Sequence, residues 1–347
     1  MKKKIGLYVI VLVLAGVTAY TLVKKAKRST LDTESANFAY NDTASITKIH
    51  ILQKSGSEVT LEQKENGEWW VNNKYPARWS NVKLLLYTLK QVAVKYPATD
   101  KAMNTVIQSI ATAGKKVEFF KGDKKVKVWY IGGTTADQMG TYMVLGDNES
   151  DEKAEQPYIT YIPGFEGFIN SRFYTDYNEW KSNVVLITTP PKMESVTVEH
   201  TGMPDSSFVI KVLGVNKFTL SDLNNKTIHN PDTFAIKQYL AYCSELRIDG
   251  FLTGKSTPEI DSVKRTQPFT TITIRLKDGY EQKMKLFSKK VVQDEVDQTL
   301  GVKLLKDPNY AYILFNKDQE FGLAQYLVFG KLIQSREYFL HPAFVKK

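Results

Sequence analysis

The sequence predicts an α+β protein in which one N-terminal transmembrane helix precedes two tandem, duplicated units of mainly antiparallel sheet with packed helices. Three observations carry that expectation. An uncharged apolar run occupies residues 5–23, short segments of alternating apolar and polar residues fill the chain from about residue 46, and their order starts over shortly before residue 192.

The apolar run, IGLYVIVLVLAGVTAYTLV, would reach about 28 Å as a helix, close to the hydrocarbon thickness of a bilayer. Val17-Thr18-Ala19 offers a cleavage site, but the run is longer than a signal-peptide core and ends in Lys24-Lys25, which favours an uncleaved signal anchor. Three basic residues precede the span (Lys2, Lys3, Lys4) and four follow it (Lys24, Lys25, Lys27, Arg28), so the positive-inside rule does not orient it. An N-terminal lysine cluster ahead of an apolar run is the usual export signal. The expectation is therefore a single-pass inner-membrane protein with a periplasmic body, touching the lipid bilayer through residues 5–23.

Those seven cations also explain most of the formal charge of +10; without them 40 basic residues face 37 acidic ones, which leaves no broad basic face for nucleic acid. The 347 residues suit roughly two domains. The expected division is a membrane anchor with basic flanks (1–28), a polar tether (29–37), a first α+β unit (38–189) and a second (190–347). Thr188-Thr189-Pro190-Pro191 marks the break, because consecutive prolines continue neither a helix nor an internal strand. A lone cysteine, Cys243, excludes an internal disulfide framework.

Within the first unit, Ile49-x-Ile51, Val59-x-Leu61 and Trp69-Trp70-Val71 read as strands, with Glu65-Asn66-Gly67 as a hairpin turn. Val196-x-Val198, Phe208-x-Ile210 and Phe218-Thr219-Leu220 follow in the same order, with Gly214 near the matching turn. An amphipathic helix comes next in each unit. Val82, Leu85, Leu86, Leu89 and Val92 make one stripe, Ile236, Tyr239, Leu240, Cys243 and Leu246 the other. Ser80 is the expected cap of the first helix and Asn230, ahead of Pro231, of the second. Cys243 in the stripe reads as a small core residue.

Hairpins turning at Gly122-Asp123 and near Asp278-Gly279 come next. DQMG at 137–140 is echoed by DQTLG at 297–301, Tyr158–Ile162 by Tyr310–Leu314, and Ser171-Arg172-Phe173-Tyr174 by Ser335-Arg336-Glu337-Tyr338. The first unit alone carries the acidic insertion GDNESDEKAEQP, read as solvated loop charge.

Chemistry is sparse. The four histidines, His50, His200, His229 and His341, lack ligand spacing, Gly132-Gly133-Thr134-Thr135 lacks the Lys-Ser/Thr of a phosphate loop, and no G-x-S-x-G elbow occurs. No catalytic residue, metal ligand or cofactor is expected. The structural or binding candidates are the repeated pairs Arg172 and Tyr174, Arg336 and Tyr338, Asp137 and Gln138, and Asp297 and Gln298. For Arg172 and Arg336 a structural contact is favoured over an anion site, with the arginine and tyrosine locking the last segment of each unit onto its sheet. Trp69-Trp70 reads as core and cross-strand packing ahead of a sugar or peptide groove.

FAYNDTASITKI (38–49), YIGGTTADQMGTYM (130–143) and IPGFEGFINSRFYTDYNEW (162–180) resemble the bacterial domain-of-unknown-function family numbered 4340, particularly its stand-alone, membrane-anchored members from Bacteroidota. The resemblance covers most of the first unit and, more loosely, the second. It implies an anchored envelope protein and brings no established catalytic residues. Some relatives look linked to auxiliary subunits of ABC transporters associated with gliding motility. The leading expectation is a membrane-tethered, non-enzymatic binding or scaffolding module with an envelope protein partner. The alternatives are an accessory subunit of an ABC-type transporter or gliding-associated complex, and, from a different class, an enzyme processing envelope glycans or peptides.

Overall fold

A computed structural model describes residues 36–252, 254, 258–291 and 304–340. The expected anchor, nearly all of the tether, His341 and the pair Asp297 and Gln298 lie outside the described residues. Among the described residues, no helix is long and apolar enough to cross a membrane.

The chain divides into two compact units between Ser182 and Asn183. In the first, β1 (Lys48–Gln53), β2 (Glu58–Gln63), β3 (Trp69–Val71) and β4 (Tyr75–Pro76) form a meander. The helix Trp79–Gln91 then crosses to β5 (Ala93–Pro97), the helix Asp100–Ala113 returns, and β6 (Lys115–Lys121), β7 (Lys124–Thr134), β8 (Thr141–Gly146) and β9 (Tyr158–Tyr161) form a second meander. The sheet order is β4-β3-β2-β1-β6-β7-β8-β9-β5, antiparallel throughout.

The second unit opens with β10 (Val184–Ile187) and continues with β11 (Met193–His200), β12 (Phe208–Gly214), β13 (Lys217–Ser221) and β14 (Thr227–Ile228). The helix Thr233–Tyr242 leads to β15 (Glu245–Arg247) and β16 (Gly250–Phe251). The helix Pro258–Lys264 precedes β17 (Thr270–Leu276), β18 (Glu281–Lys290), β19 (Lys306–Phe315) and β20 (Glu320–Gln325). Its order, β14-β13-β12-β11-β17-β18-β19-β20-β16, repeats the first sheet strand for strand; β10 and β15 add a separate two-stranded ladder.

Period-two alternation explains the layers. Ile49, Ile51, Val117, Phe119, Trp129 and Met143 point to one face, where they bury Val82, Leu85 and Leu89 of the helix Trp79–Gln91. The intervening Tyr130, Tyr142 and Val144 point to the other face, against Val106 and Ile110 of the helix Asp100–Ala113. A Cβ on Gly132 would stand 2.8 Å from Ile110 Cγ1, so the glycine lets that helix approach the sheet. The second unit repeats both layers, with Ile236, Tyr239 and Leu240 on one face and Ile260 against Phe287, Tyr312 and Phe321 on the other.

Several local expectations are corrected. Asp232, not Asn230, caps its helix, its carboxylate accepting from Phe234 N (2.8 Å) and Ala235 N (3.1 Å). The earlier helix starts at Trp79 behind Arg78, leaving Ser80 inside its first turn. Leu246 belongs to β15 rather than to the helical stripe. Pro190-Pro191 begins a 3-10 turn between β10 and β11, inside the second unit. Sheet order matches β19 with β8 and β20 with β9, so Tyr310–Leu314 is the counterpart of β8 and not of Tyr158–Ile162.

Candidate functional site

Near the end of each unit the repeated motif forms a 3-10 turn, Asn170–Arg172 in the first, where a second turn at Tyr177–Glu179 follows, and Arg336–Phe339 in the second. A fully buried phenylalanine seals each end. Phe173 meets Trp129 edge-on at 6.1 Å between centroids, and Phe339 meets Phe208 (4.8 Å) and Tyr239 (5.2 Å). Burying an aromatic ring of this kind is worth several times one surface hydrogen bond.

The sheet fastens each closing turn by a backbone carbonyl. Lys115 Nζ donates to the Phe173 carbonyl at 2.5 Å, and His200 Nε2 to the Gln334 carbonyl at 2.8 Å. These contacts come from one place in the fold. Lys115 pairs with Gln53 at the end of the β1–β6 ladder, Thr270 with His200 at the end of β17–β11, and Thr270 Oγ1 lies 2.9 Å from His200 Nδ1. The cation of the first unit is thus replaced by a histidine in the second, contributed from the neighbouring strand. Burial lowers the Lys115 pKa.

The repeated arginines do different things. Arg172 Nη1 donates to Thr88 Oγ1 (2.8 Å) on the helix Trp79–Gln91, and its guanidinium lies 4.6 Å over the Phe165 ring. It grips a helix, not the sheet, and partial burial lowers its pKa. Arg336 makes no side-chain hydrogen bond or ion pair among the described residues. Tyr174 packs its ring edge-on to Trp180, whose Nε1 donates to the Tyr174 carbonyl (3.0 Å); Tyr338 donates its hydroxyl to Gln238 Oε1 (3.2 Å). The expected lock by Arg and Tyr onto each sheet is therefore replaced by a carbonyl fastening and a buried phenylalanine.

Asp137 and Gln138 form the β7–β8 turn. The Asp137 carboxylate accepts from the Thr135 hydroxyl and from Met139 N (3.0 Å), which lowers its pKa, and Gln138 takes a φ of 58°. A Cβ on Gly140 would stand 2.5 Å from Ile159 Cγ2, so DQMG joins a turn to a tight strand contact.

In the second unit a cleft of about 430 Å³ opens beside the closing turn, lined by His200, Met203, Phe269, Lys306, Tyr326 and Ser335 among others. A neighbouring cleft of about 760 Å³ shares Phe269 and Ser288 with it. Its walls combine apolar side chains, hydroxyls and one cation, Lys306.

The first unit carries instead an ionic cluster that its scattered sequence positions conceal. Glu118, nearly buried, accepts from His50 Nδ1 (2.9 Å), Lys116 (2.9 Å) and Lys125 (2.9 Å). His50 Nε2 reaches Glu58 at 3.1 Å, while Lys116 (2.8 Å) and Lys125 also hold Asp151. Asp151 belongs to the acidic insertion, so that loop folds back onto the sheet, its Asp151 carbonyl accepting from Tyr130 OH (2.7 Å). The His50 hydrogen bond and then the two lysines depress the Glu118 pKa, and Glu118 raises that of His50. The cluster thereby favours the Glu118 carboxylate, and both His50 nitrogens face carboxylate oxygens, an arrangement that favours the protonated ring.

Cys243 is fully buried and burial pushes its thiol pKa up. Among the described residues no group of three or more His, Cys, Asp or Glu is placed to hold a metal ion. No family model, no curated protein and no solved structure matches the chain.

Proposed function

We propose that this chain is a membrane-tethered, non-enzymatic envelope protein whose two units descend from one duplicated fold and together serve as a binding or scaffolding module for an envelope protein. The observation that carries this reading is the recurrence of one nine-stranded order with different polar chemistry set into each copy. Three buried reactive side chains support it, because they are engaged in holding structure. Glu118 is tied to three cations, both ring nitrogens of His200 are hydrogen-bonded, and the Cys243 thiol is sealed in the core. The tether reading rests on residues 5–23, the binding reading on the open cleft beside His200.

A photo-crosslinking residue at Met203, on the rim of that cleft, tests the module in the full chain expressed in its own cells. The expected result is one specific protein adduct that Lys306→Glu abolishes; consistent recovery of the chain alone overturns the scaffold reading. Reporters fused after residue 347 test placement, and activity only from a cytoplasmic reporter overturns the exported body.

A further inference from the structure

The helix Trp79–Gln91 buries one face against the first sheet, and its other face is unusual for a surface helix. Trp79 is 56% exposed, Tyr87 49% and Leu84 41%, and beside them Phe165 is 42% exposed beneath the Arg172 guanidinium. Lys83 and Lys90 are exposed on the same helix, which contains no acidic residue; Glu166 is the acid next to Phe165. The corresponding helix of the second unit turns outward Phe234, Lys237, Gln238 and Ala241. Aromatic rings set among cations on a helix without acids, with Glu166 confined to the edge, match the headgroup layer of a bilayer, where amphipathic rings and lysine stems bury carbon while their polar ends stay wet.

The described chain starts on this side of the sheet. Phe38 is buried in the core that the helix covers, and Tyr40 N donates to the Leu89 carbonyl at 3.0 Å, so the described chain begins beside the helix. The uncharged run ends at residue 23, leaving residues 24–35, which span at most about 40 Å when extended. That connection starts with Lys24, Lys25, Lys27 and Arg28, cations suited to the same anionic surface.

We infer that the exposed Trp79, Leu84 and Tyr87 face, with Phe165 and Arg172 at its edge, docks on the surface of the bilayer that holds the anchor, so that the first unit lies against the membrane. This rests on the anchor reading proposed above. The patch spans about 12 Å along the helix between Trp79 and Tyr87, so several rings touch the interface at once.

Spin labels on the full chain, reconstituted in vesicles of phosphatidylethanolamine and phosphatidylglycerol, separate the two readings. Cys243 is buried, so Leu84→Cys, Asp123→Cys on a hairpin turn and Leu14→Cys in the apolar run each introduce a single accessible thiol, with the unsubstituted chain as the labelling control. The expected result is a severalfold rise in collisions with oxygen relative to a nickel chelate at 84 and at 14, with 123 unchanged. A lipid-embedded 14 with an aqueous 84 overturns the docking face and leaves the anchor standing; an aqueous 14 overturns the anchor. Loss of both collision types at 84 indicates cover by protein and also overturns the proposal. In the docked state, Trp79→Ser combined with Tyr87→Ser returns the label at 84 to aqueous accessibility.

Discussion

Where the first unit places His50 opposite Glu118 across β1 and β6, the second places Thr197 opposite Thr273 across β11 and β17. The register is the same and the chemistry is not. Around Glu118 the first unit gathers Lys116, Lys125 and, from an insertion in the β8–β9 connection, Asp151. The second joins β19 to β20 by residues 316–319 alone, with Lys285 reaching Asp318 at 2.5 Å. The comparison teaches that both apolar layers and the closing phenylalanine recur with the architecture, while the polar positions beside them on the opposite face diverge.

The sharpest way to break that comparison is at the closing rings. All five tryptophans, at 69, 70, 79, 129 and 180, lie in the first unit, so their fluorescence follows that unit. Phe173→Ala should lower the stability seen by tryptophan during urea unfolding by about 3–5 kcal/mol, the usual cost of emptying a buried aromatic site. Phe339→Ala should remove a similar amount from a transition seen by far-ultraviolet circular dichroism, with the tryptophan signal unmoved. A tryptophan shift of equal size would mean that the two compact units unfold as one.

The ionic cluster should matter less, and in one unit only. Glu118→Gln leaves two lysines and a histidine short of a carboxylate in a nearly buried position and should cost about 1–3 kcal/mol in the same assay. Thr273→Val, at the equivalent place, should stay within about 0.5 kcal/mol. Equal effects would mean that the cluster is ornamental.

Proton linkage sharpens the same contrast. The folded pKa of Glu118 is depressed, so its contribution is present above the ordinary carboxylate value of 4.5 and is lost as pH falls through the folded value. That of His50 is raised, so its contribution is complete below 6.5 and fades as pH rises through the folded value. Both therefore act together between those limits, and tryptophan-detected stability should carry an alkaline decline that His50→Gln removes. Persistence of the whole decline in His50→Gln would assign it to another group.

Much of the scaffold is legible in the sequence because alternating strands and a wide helical stripe leave a periodic trace. Ile49, Ile51, Val117 and Phe119 announce their buried face, and Val82, Leu85 and Leu89 theirs. The helix Asp100–Ala113 escapes notice because only Val106 and Ile110 are buried in it, too few to set a period. The β8 and β9 counterparts are confused because connections of unequal length, residues 147–157 against 316–319, slide similar apolar strands past one another. The cluster is invisible for a different reason: His50 meets partners 8 and 68 positions away, which only the strand register brings together.

The repeated Ser-Arg-x-Tyr supplies the smallest and most discriminating test. As a shared closing device, Arg172→Ala and Arg336→Ala would cost alike. The contacts say otherwise: Arg172 hydrogen-bonds Thr88 and lies over Phe165, whereas Arg336 has no side-chain hydrogen bond or ion pair among the described residues. Arg172→Ala should therefore cost about 1 kcal/mol in the tryptophan-detected transition, the sum of one modest hydrogen bond and a partly exposed cation–π contact. Arg336→Ala should stay within about 0.5 kcal/mol by circular dichroism. Equal losses would return the arginine to the centre of the closing turn and demote the carbonyl fastenings at Lys115 and His200. Unequal losses would mean that the motif repeats because its turn is needed twice, each time with a buried phenylalanine inside or beside it, while among the described residues its arginine holds a partner in the first unit alone.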